Sequence, residues 1–234
     1  MEKKLTILEH LEELRRRIII ILTCLFFSSF FCFFFASFFL KVLRYPVRHY
    51  LQELFYFSPL DTILIYMRLA FLGGMILSLP VILYQVWGFI APAIDENFRR
   101  YGIKFILSSF FAFYLGTIFG YFVVLPYFLR FLLSLGRDIL KPLISAVSYI
   151  GFATNIIVGC GIIFELPVLV VILTKLGIVN HNFLRKKRRW AILFIFIFSA
   201  IITPTTDAFS MLVFALPLIL LYEISIILSF ILRR

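Results

Sequence analysis

Carboxylates are the side chains of this sequence with the clearest chemical potential. The most unusual is Glu165, which is the one charged residue in a run of 26 residues from Tyr149 to Thr174. A charged group in the middle of a membrane-spanning helix costs about 2.5–3.5 kcal/mol on insertion scales. An acid at such a position is by default functional, as a polar contact or a proton site within the membrane.

The neighbours of Glu165 on its helix face are small or weakly polar. At 100° per residue, Thr154, Val158, Gly161 and Glu165 fall within about 60° of one another. We expect this face to point at protein or water rather than at lipid. The alternative is an architectural role, in which a protonated Glu165 bonds a backbone carbonyl that Pro167 leaves free.

A second set of acids lies close to basic residues outside the apolar runs. Glu9, Glu12 and Glu13 belong to the first segment, and Asp95 and Glu96 follow the second apolar run. A carboxylate binds a guanidinium group through two parallel hydrogen bonds. Carboxylates held at a membrane surface therefore predict a receptor for a peptide that carries arginines.

Local interactions are the alternative explanation for the same acids. Thr6-x-x-Glu9 is a capping-box pattern at a helix start. The other acids have basic residues within about one helical turn, and the expected pairs are Glu12 with Arg16, Glu13 with Arg17, and Asp95 and Glu96 with Arg99 and Arg100.

Residues for catalysis or metal binding do not form a pattern. The sequence has no Gly-x-Ser-x-Gly motif and no Gly-rich phosphate loop. Its histidines and cysteines lack the spacing of metal ligands; they are His10, His49, His181, Cys24, Cys32 and Cys160. We therefore predict no enzyme activity, no catalytic residue, no metal site and no cofactor.

The composition is that of a membrane protein with many spans. The chain is 63% hydrophobic, 19% of its residues are aromatic, and its mean hydropathy is +1.07. One membrane domain, 1–234, is expected, with an amphipathic surface segment over 1–17. The predicted spans are 18–40, 69–94, 105–129, 149–174, 190–203 and 208–232.

The basic residues predict the orientation. The net charge of +11 comes from short basic runs at the ends of the spans, which argues against nucleic-acid binding. With six spans, 16 of the 23 Lys and Arg residues fall on the side of the two termini. The positive-inside rule then places both termini in the cytoplasm. The fifth run is short, and Glu223 interrupts the sixth, so that either the bilayer thins or Glu223 lies at the near interface.

Several motifs, taken in order, resemble those of the TatC family, the large membrane subunit of the twin-arginine protein translocase. The resemblance covers nearly the whole chain. The stretches that carry it are His10–Arg17 (HLEELRRR), Pro80–Ala93 (PVILYQVWGFIAPA), Tyr121–Pro126 (YFVVLP), Phe164–Pro167 (FELP), Leu184–Arg188 (LRKKR) and Ile202–Pro204 (ITP).

The resemblance implies an all-α membrane protein whose six helices form a curved, cupped wall with short fifth and sixth helices. It implies binding of twin-arginine signal peptides of folded cargo, recruitment of the single-span subunits TatA and TatB, an oligomeric receptor complex, and use of the proton motive force. The implied membrane is the bacterial inner membrane, with the plastid thylakoid as the alternative.

The resemblance also implies roles for particular residues. The expected signal-peptide-binding residues are Glu13, Glu96, Asp95, Leu11, Arg15 and Arg17. Glu165 and Thr154 are the expected intramembrane polar site, and Pro46, Pro80 and Pro167 are the expected structural positions.

Two positions depart from the family pattern. Phe98 stands where a second signal-binding glutamate is usual, so that either Glu96 replaces it or Glu13 binds alone. Met211 replaces a polar residue of the sixth span. Two other functions are considered: a proton-coupled transporter of small solutes that uses Glu165, and a purely structural scaffold.

Overall fold

Helices account for nearly all of the regular structure. The computed structural model describes residues 7–50, 53–93, 102–134, 143–202 and 208–231. Within these ranges the α-helices are α1 Ile7–Phe33, α2 Ala36–Arg44, α3 Pro59–Ile90, α4 Gly102–Phe119, α5 Leu125–Ser134, α6 Ala146–Phe164, α7 Leu166–Lys175, α8 His181–Lys186, α9 Arg188–Ile202 and α10 Ala208–Ile231.

Helix α1 joins two segments that the sequence predicted to be separate. The amphipathic segment over 1–17 was expected to lie on the membrane surface as its own helix. The structure instead continues residues 7–17 into the first apolar run as one helix, Ile7–Phe33. Neither Gly nor Pro occurs in these 27 residues, so nothing in the sequence breaks the helix.

The segment that contains Pro46 is tied down by two tyrosines. Pro46 lies in a single helical turn, Tyr45–Val47, directly after α2. The hydroxyl of Tyr149 donates to the Leu43 carbonyl at 2.7 Å, and that of Tyr121 donates to the Val42 carbonyl at 2.5 Å. These bonds hold the last turn of α2 against two later parts of the chain.

Helix α3 begins earlier than the predicted span 69–94. Ser58 caps it, because its hydroxyl accepts from the Leu60 N–H at 3.3 Å. The Asp61 carboxylate accepts from the Ser58 N–H at 3.2 Å, and Pro59 occupies the first turn. This capping box with an early proline starts the helix at Pro59.

Pro80 lies inside α3 without ending it. Proline lacks an N–H, so the carbonyl four residues earlier, that of Ile76, loses its helical donor. The hydroxyl of Tyr114 on α4 donates to this carbonyl at 3.0 Å. A neighbouring helix thus satisfies the freed group, as membrane proteins require.

Helix α6 packs closely on α4 through glycines. A Cβ atom on Gly161 would lie 2.8 Å from the Phe113 ring, and one on Gly116 would lie 2.5 Å from the Cys160 carbonyl oxygen. Small residues allow two helix backbones to approach in this way. The largest fully buried side chains include Leu69, Leu125, Phe128, Ile150 and Ile156, on α3, α5 and α6.

The last two helices form a hairpin of unequal arms. Helix α9 has 15 residues and α10 has 24. Arg188, the first residue of α9, forms an ion pair with Glu223 of α10. Glu223 therefore lies at the level where α9 begins, which favours an interfacial position over burial among lipid chains.

Five helical stretches of the described residues are long and apolar enough to cross a membrane. They are Glu9–Phe33, Pro59–Ile90, Gly102–Ser134, Ala146–Lys175 and Met211–Ile231. Helix α9 is shorter, at about 22 Å for a rise of 1.5 Å per residue. The first stretch has 6% of its apolar window buried, so that most of α1 faces outward.

Candidate functional site

The best-defined polar site joins the start of α1 to the end of α3. The Arg17 guanidinium contacts the Glu13 carboxylate with Nε at 3.1 Å and Nη2 at 2.5 Å from Oε1. Its Nη1 donates to Gln85 on α3, at 3.3 Å from the backbone oxygen and 3.2 Å from Oε1. We call Glu13, Arg17, Gln85, His10 and Phe89 the Glu13 cluster.

An aromatic contact and a glycine complete the Glu13 cluster. The His10 imidazole stacks on the Phe89 ring, with centroids 4.5 Å apart. His10 Nδ1 lies 4.0 Å from Glu13 Oε2. Residue 88 is glycine, and a Cβ atom there would lie 2.1 Å from Arg17 Nη1. The missing side chain provides the space that the guanidinium occupies.

The packing of three helices positions this cluster. Helices α1 and α3 approach closely at Gly74, where a Cβ atom would lie 2.6 Å from the Ser29 Cα. Near the C-terminal end of α3, the Trp87 ring stacks on Phe105 of α4 with centroids 5.1 Å apart. The end of α3 is thereby fixed between α1 and α4.

The structure separates the acids of the first segment. Glu13 forms the predicted pair with Arg17, and its side chain is 26% exposed. Glu12 and Arg16 have the same spacing but form no ion pair with each other, and both are exposed. The spacing rule therefore holds only where α3 supplies a further partner for the arginine.

The other predicted binding residues have different outcomes. Leu11 is 56% exposed, and Arg15 is exposed as well. Asp95 and Glu96 lie outside the described residues. Whether Glu96 joins Glu13 in binding, and whether it pairs with its own arginines, therefore stays a prediction.

Glu165 stands at a break between two helices. It ends α6 and precedes α7, whose first turn contains Pro167. Its Oε1 atom is buried and has no hydrogen-bond partner. The Ser109 side chain on α4 is the polar neighbour of this carboxyl group. Oε1 makes no bond to a freed backbone carbonyl, and the architectural explanation stays an alternative.

The helix face that leads to Glu165 contacts protein at Gly161, which lies against Phe113 and Thr117 of α4. The other three residues of this face, Thr154, Val158 and Glu165, are half-buried. Thr154 does not join Glu165 in one polar site, because 11 residues of helix separate them by about 16 Å. Its hydroxyl oxygen is buried without a partner of its own.

Sequence reasoning missed two polar residues near these acids, namely Gln85, which binds Arg17, and Ser109, which lies beside Glu165. Neither Gln85 nor Ser109 was predicted as a site residue. Ser109 also lines a small cavity of about 30 Å³ beside Trp87 and Phe105, close to the volume that holds one water molecule. The proximity of Gln85 to the His10–Arg17 motif required knowledge of the helix packing.

Comparison with known proteins assigns the family. Residues 9–217 match the family described as "TatC: Sec-independent protein translocase protein (TatC)". The chain belongs to the TatC family. As a TatC family member it is a subunit of the Sec-independent translocase and a membrane protein. Members of this family are components of a protein translocase rather than catalytic enzymes.

Relatives match this TatC family member over nearly its whole length. The Sec-independent protein translocase protein TatC of Carboxydothermus hydrogenoformans is 38% identical over 228 residues, which are 97% of this chain and 94% of that protein. The Aquifex aeolicus protein of the same description is 38% identical and covers 94% of this chain and 93% of its own length.

A solved structure has the same fold. The crystal structure described as "Twin Arginine Translocase Receptor- TatC" superposes with a TM-score of 0.87 at 37% identity. The match covers 96% of this chain and 100% of the other. The predicted fold class, an all-α membrane protein of the TatC type, is confirmed.

Proposed function

We propose that this chain is the signal-peptide receptor and core subunit of a twin-arginine translocase. It binds the arginine pair of the signal peptide at Glu13 and takes part in the export of folded proteins, with energy from the proton motive force. The observation that carries the proposal is the Glu13 cluster, in which a half-buried carboxylate is held at a defined place on two helices.

The electrostatics of the site support recognition of arginine. Charge-assisted hydrogen bonds between guanidinium and carboxylate are about twice as strong as neutral ones. Glu13 Oε1 accepts from the Arg17 guanidinium, the same kind of contact that an arginine of the signal peptide would make. Leu11 and Arg15 are each two residues from Glu13 and are exposed on the other side of α1. They are assigned to contacts with the rest of the peptide, and Glu96 and Asp95 are the other proposed acids of the site.

The partners and the membrane orientation are part of the same proposal. Both termini lie in the cytoplasm of a bacterial cell, since the relatives come from bacteria and most basic residues fall on that side. TatA and TatB pack their single helices against the membrane-embedded surface of an oligomeric receptor. An apolar cavity of about 440 Å³ between α6, α9 and α10, lined by Ile162, Phe194 and Leu218 among others, supports this docking.

Glu165 has a separate task in this proposal. It provides a carboxyl group on the membrane-embedded wall for an inserted signal segment or for a polar residue of a partner helix. The unpartnered Oε1 atom supports this assignment, because a buried polar group without a partner costs about 1–3 kcal/mol. Membership of a translocase family favours this function over the transport of small solutes.

The test is binding of a synthetic twin-arginine signal peptide to the purified full-length chain in detergent, beside a twin-lysine version. We expect the arginine peptide to bind at least about tenfold more tightly, a difference of about 1.4 kcal/mol. Glu13→Gln should remove this preference. Glu12→Gln is the matched control, since Glu12 is exposed one residue away. Equal binding of both peptides to the unaltered chain would contradict the proposal.

A further inference from the structure

The two oxygens of the Glu13 carboxylate have different surroundings. Oε1 accepts from both Nε and Nη2 of Arg17, at 3.1 and 2.5 Å. Among the described residues, the imidazole of His10 lies near Oε2, with Nδ1 at 4.0 Å, beyond hydrogen-bond distance. Within this part of the chain, Arg17 therefore saturates one oxygen, while the other has no hydrogen-bond donor.

Arg17 is in turn held by the opposite helix. Its Nη1 donates to two acceptors of Gln85, the backbone oxygen at 3.3 Å and the side-chain Oε1 at 3.2 Å. The guanidinium thus uses all three of its nitrogens, and the Arg17 side chain is 21% exposed. Because Gln85 belongs to α3, the carboxylate of Glu13 on α1 is fixed relative to a second helix.

The space for this arrangement is built into α3. Gly88 lies one turn after Gln85, and a Cβ atom at this position would approach Arg17 Nη1 to 2.1 Å. The guanidinium therefore lies against bare backbone at Gly88, with Gln85 beside it. A planar fork with fixed donors suits this arrangement, whereas a lysine ammonium is a single point charge.

We propose that Arg17, anchored by Gln85, is a positioning residue that presents Glu13 Oε2 to a guanidinium group of the signal peptide. The inference rests on the receptor function proposed above and refines the predicted role of Arg17, which does not itself bind the peptide. A carboxylate fixed in place favours the rigid arginine fork, whereas a mobile carboxylate follows an arginine or a lysine equally well.

The experiment compares conservative variants in the assay with twin-arginine and twin-lysine peptides. Arg17→Lys keeps the charge but cannot bridge Glu13 and Gln85. We expect its affinity for the arginine peptide to fall by about tenfold and the preference over the lysine peptide to shrink toward one. Arg16→Lys is the matched control, because Arg16 is exposed on the same helix, and it should bind as the unaltered chain does.

A second variant keeps the test valid if Arg17→Lys fails to fold. Gln85→Met preserves the shape of the side chain and removes one of the two acceptors of Arg17. It should weaken arginine-peptide binding by about threefold and lower the same preference. The thermal unfolding midpoint of each variant in detergent separates loss of positioning from loss of the fold.

The outcomes separate this inference from the receptor function. If the unaltered chain shows no preference for arginine, the receptor function fails and the inference with it. If that preference exists and requires Glu13, but folded Arg17→Lys or Gln85→Met binds as well as or better than the unaltered chain, positioning is overturned. Tighter binding would identify Arg17 as a competitor for the carboxylate.

Discussion

Glu13 and Glu165 are both glutamates, but their carboxyl groups differ in their hydrogen-bond partners. Glu13 Oε1 has two donor contacts from Arg17, and a second helix holds that arginine. Glu165 Oε1 is buried at the break between α6 and α7 and has no partner. The first carboxylate is fixed before any ligand arrives, whereas the second has Ser109 as its polar neighbour and one buried oxygen that a ligand or partner helix would complete. We therefore assign them to different steps, recognition and translocation.

The largest expected effect separates these two steps. Glu165→Gln should reduce export of a twin-arginine substrate into membrane vesicles by about tenfold or more, because it removes the ionisable carboxyl group. Thr154→Val is the matched control on the same helix, since the Thr154 hydroxyl is also buried without a partner. Undiminished export by Glu165→Gln would leave Glu165 with an architectural role only.

The helix that carries Glu165 depends on its contact with α4. Gly161→Leu should lower stability by about 1–3 kcal/mol, since even a Cβ atom there lies 2.8 Å from the Phe113 ring. Unfolding in mixed micelles measures this effect. Ile162→Ala, at a position that is 49% exposed, should change stability less. A larger loss at Ile162 would mean that α6 does not pack as described.

Stability should respond with opposite signs at the two acids. Glu165→Leu replaces a carboxyl group that has one buried oxygen without a partner by an apolar side chain, and should raise the thermal unfolding midpoint, with a gain of about 1–2 kcal/mol. Glu13→Leu strands the Arg17 guanidinium and should lower the midpoint by a similar amount. Thermal unfolding in one detergent gives both values, and a decrease for Glu165→Leu would show that the contact with Ser109 outweighs the cost of the unpartnered oxygen.

The smallest effect concerns Pro80, which interrupts the backbone hydrogen bonding of α3. Tyr114→Phe removes the donor to the Ile76 carbonyl that Pro80 leaves free, and should cost about 1 kcal/mol. In a Pro80→Ala background the helix supplies its own N–H, so the same change should cost less. A double-mutant cycle of unfolding free energies measures this coupling. An equal loss of unfolding free energy in both backgrounds would show that the contribution of the Tyr114 hydroxyl does not depend on Pro80.

Local sequence predicted much of the helical structure and part of the site. The apolar runs indicated the helices, and the spacing of Glu13 and Arg17 predicted their pair. The same spacing rule failed for Glu12 and Arg16, which are both exposed. The pair of Glu13 and Arg17 differs in having a third partner, Gln85, on α3. The separation of 68 positions between Arg17 and Gln85 places that partner beyond any local pattern.

Boundaries and remote contacts were the less predictable part. The first segment was expected as a separate surface helix, yet no breaker interrupts α1. Thr154 and Glu165 share a helix face, but the rise of the helix keeps them apart. The bond from Tyr114 to Ile76 follows from the missing N–H of Pro80, although its donor depends on which helix packs there.

The most direct test of this division of labour is the affinity of one twin-arginine signal peptide for three forms of the purified chain. These are the unaltered protein, Glu13→Gln and Glu165→Gln. The account predicts that Glu13→Gln loses about tenfold or more in affinity while Glu165→Gln stays within about twofold of the unaltered protein. Equal losses in both variants, or a loss in Glu165→Gln alone, would contradict the assignment of recognition to Glu13 and of a later step to Glu165.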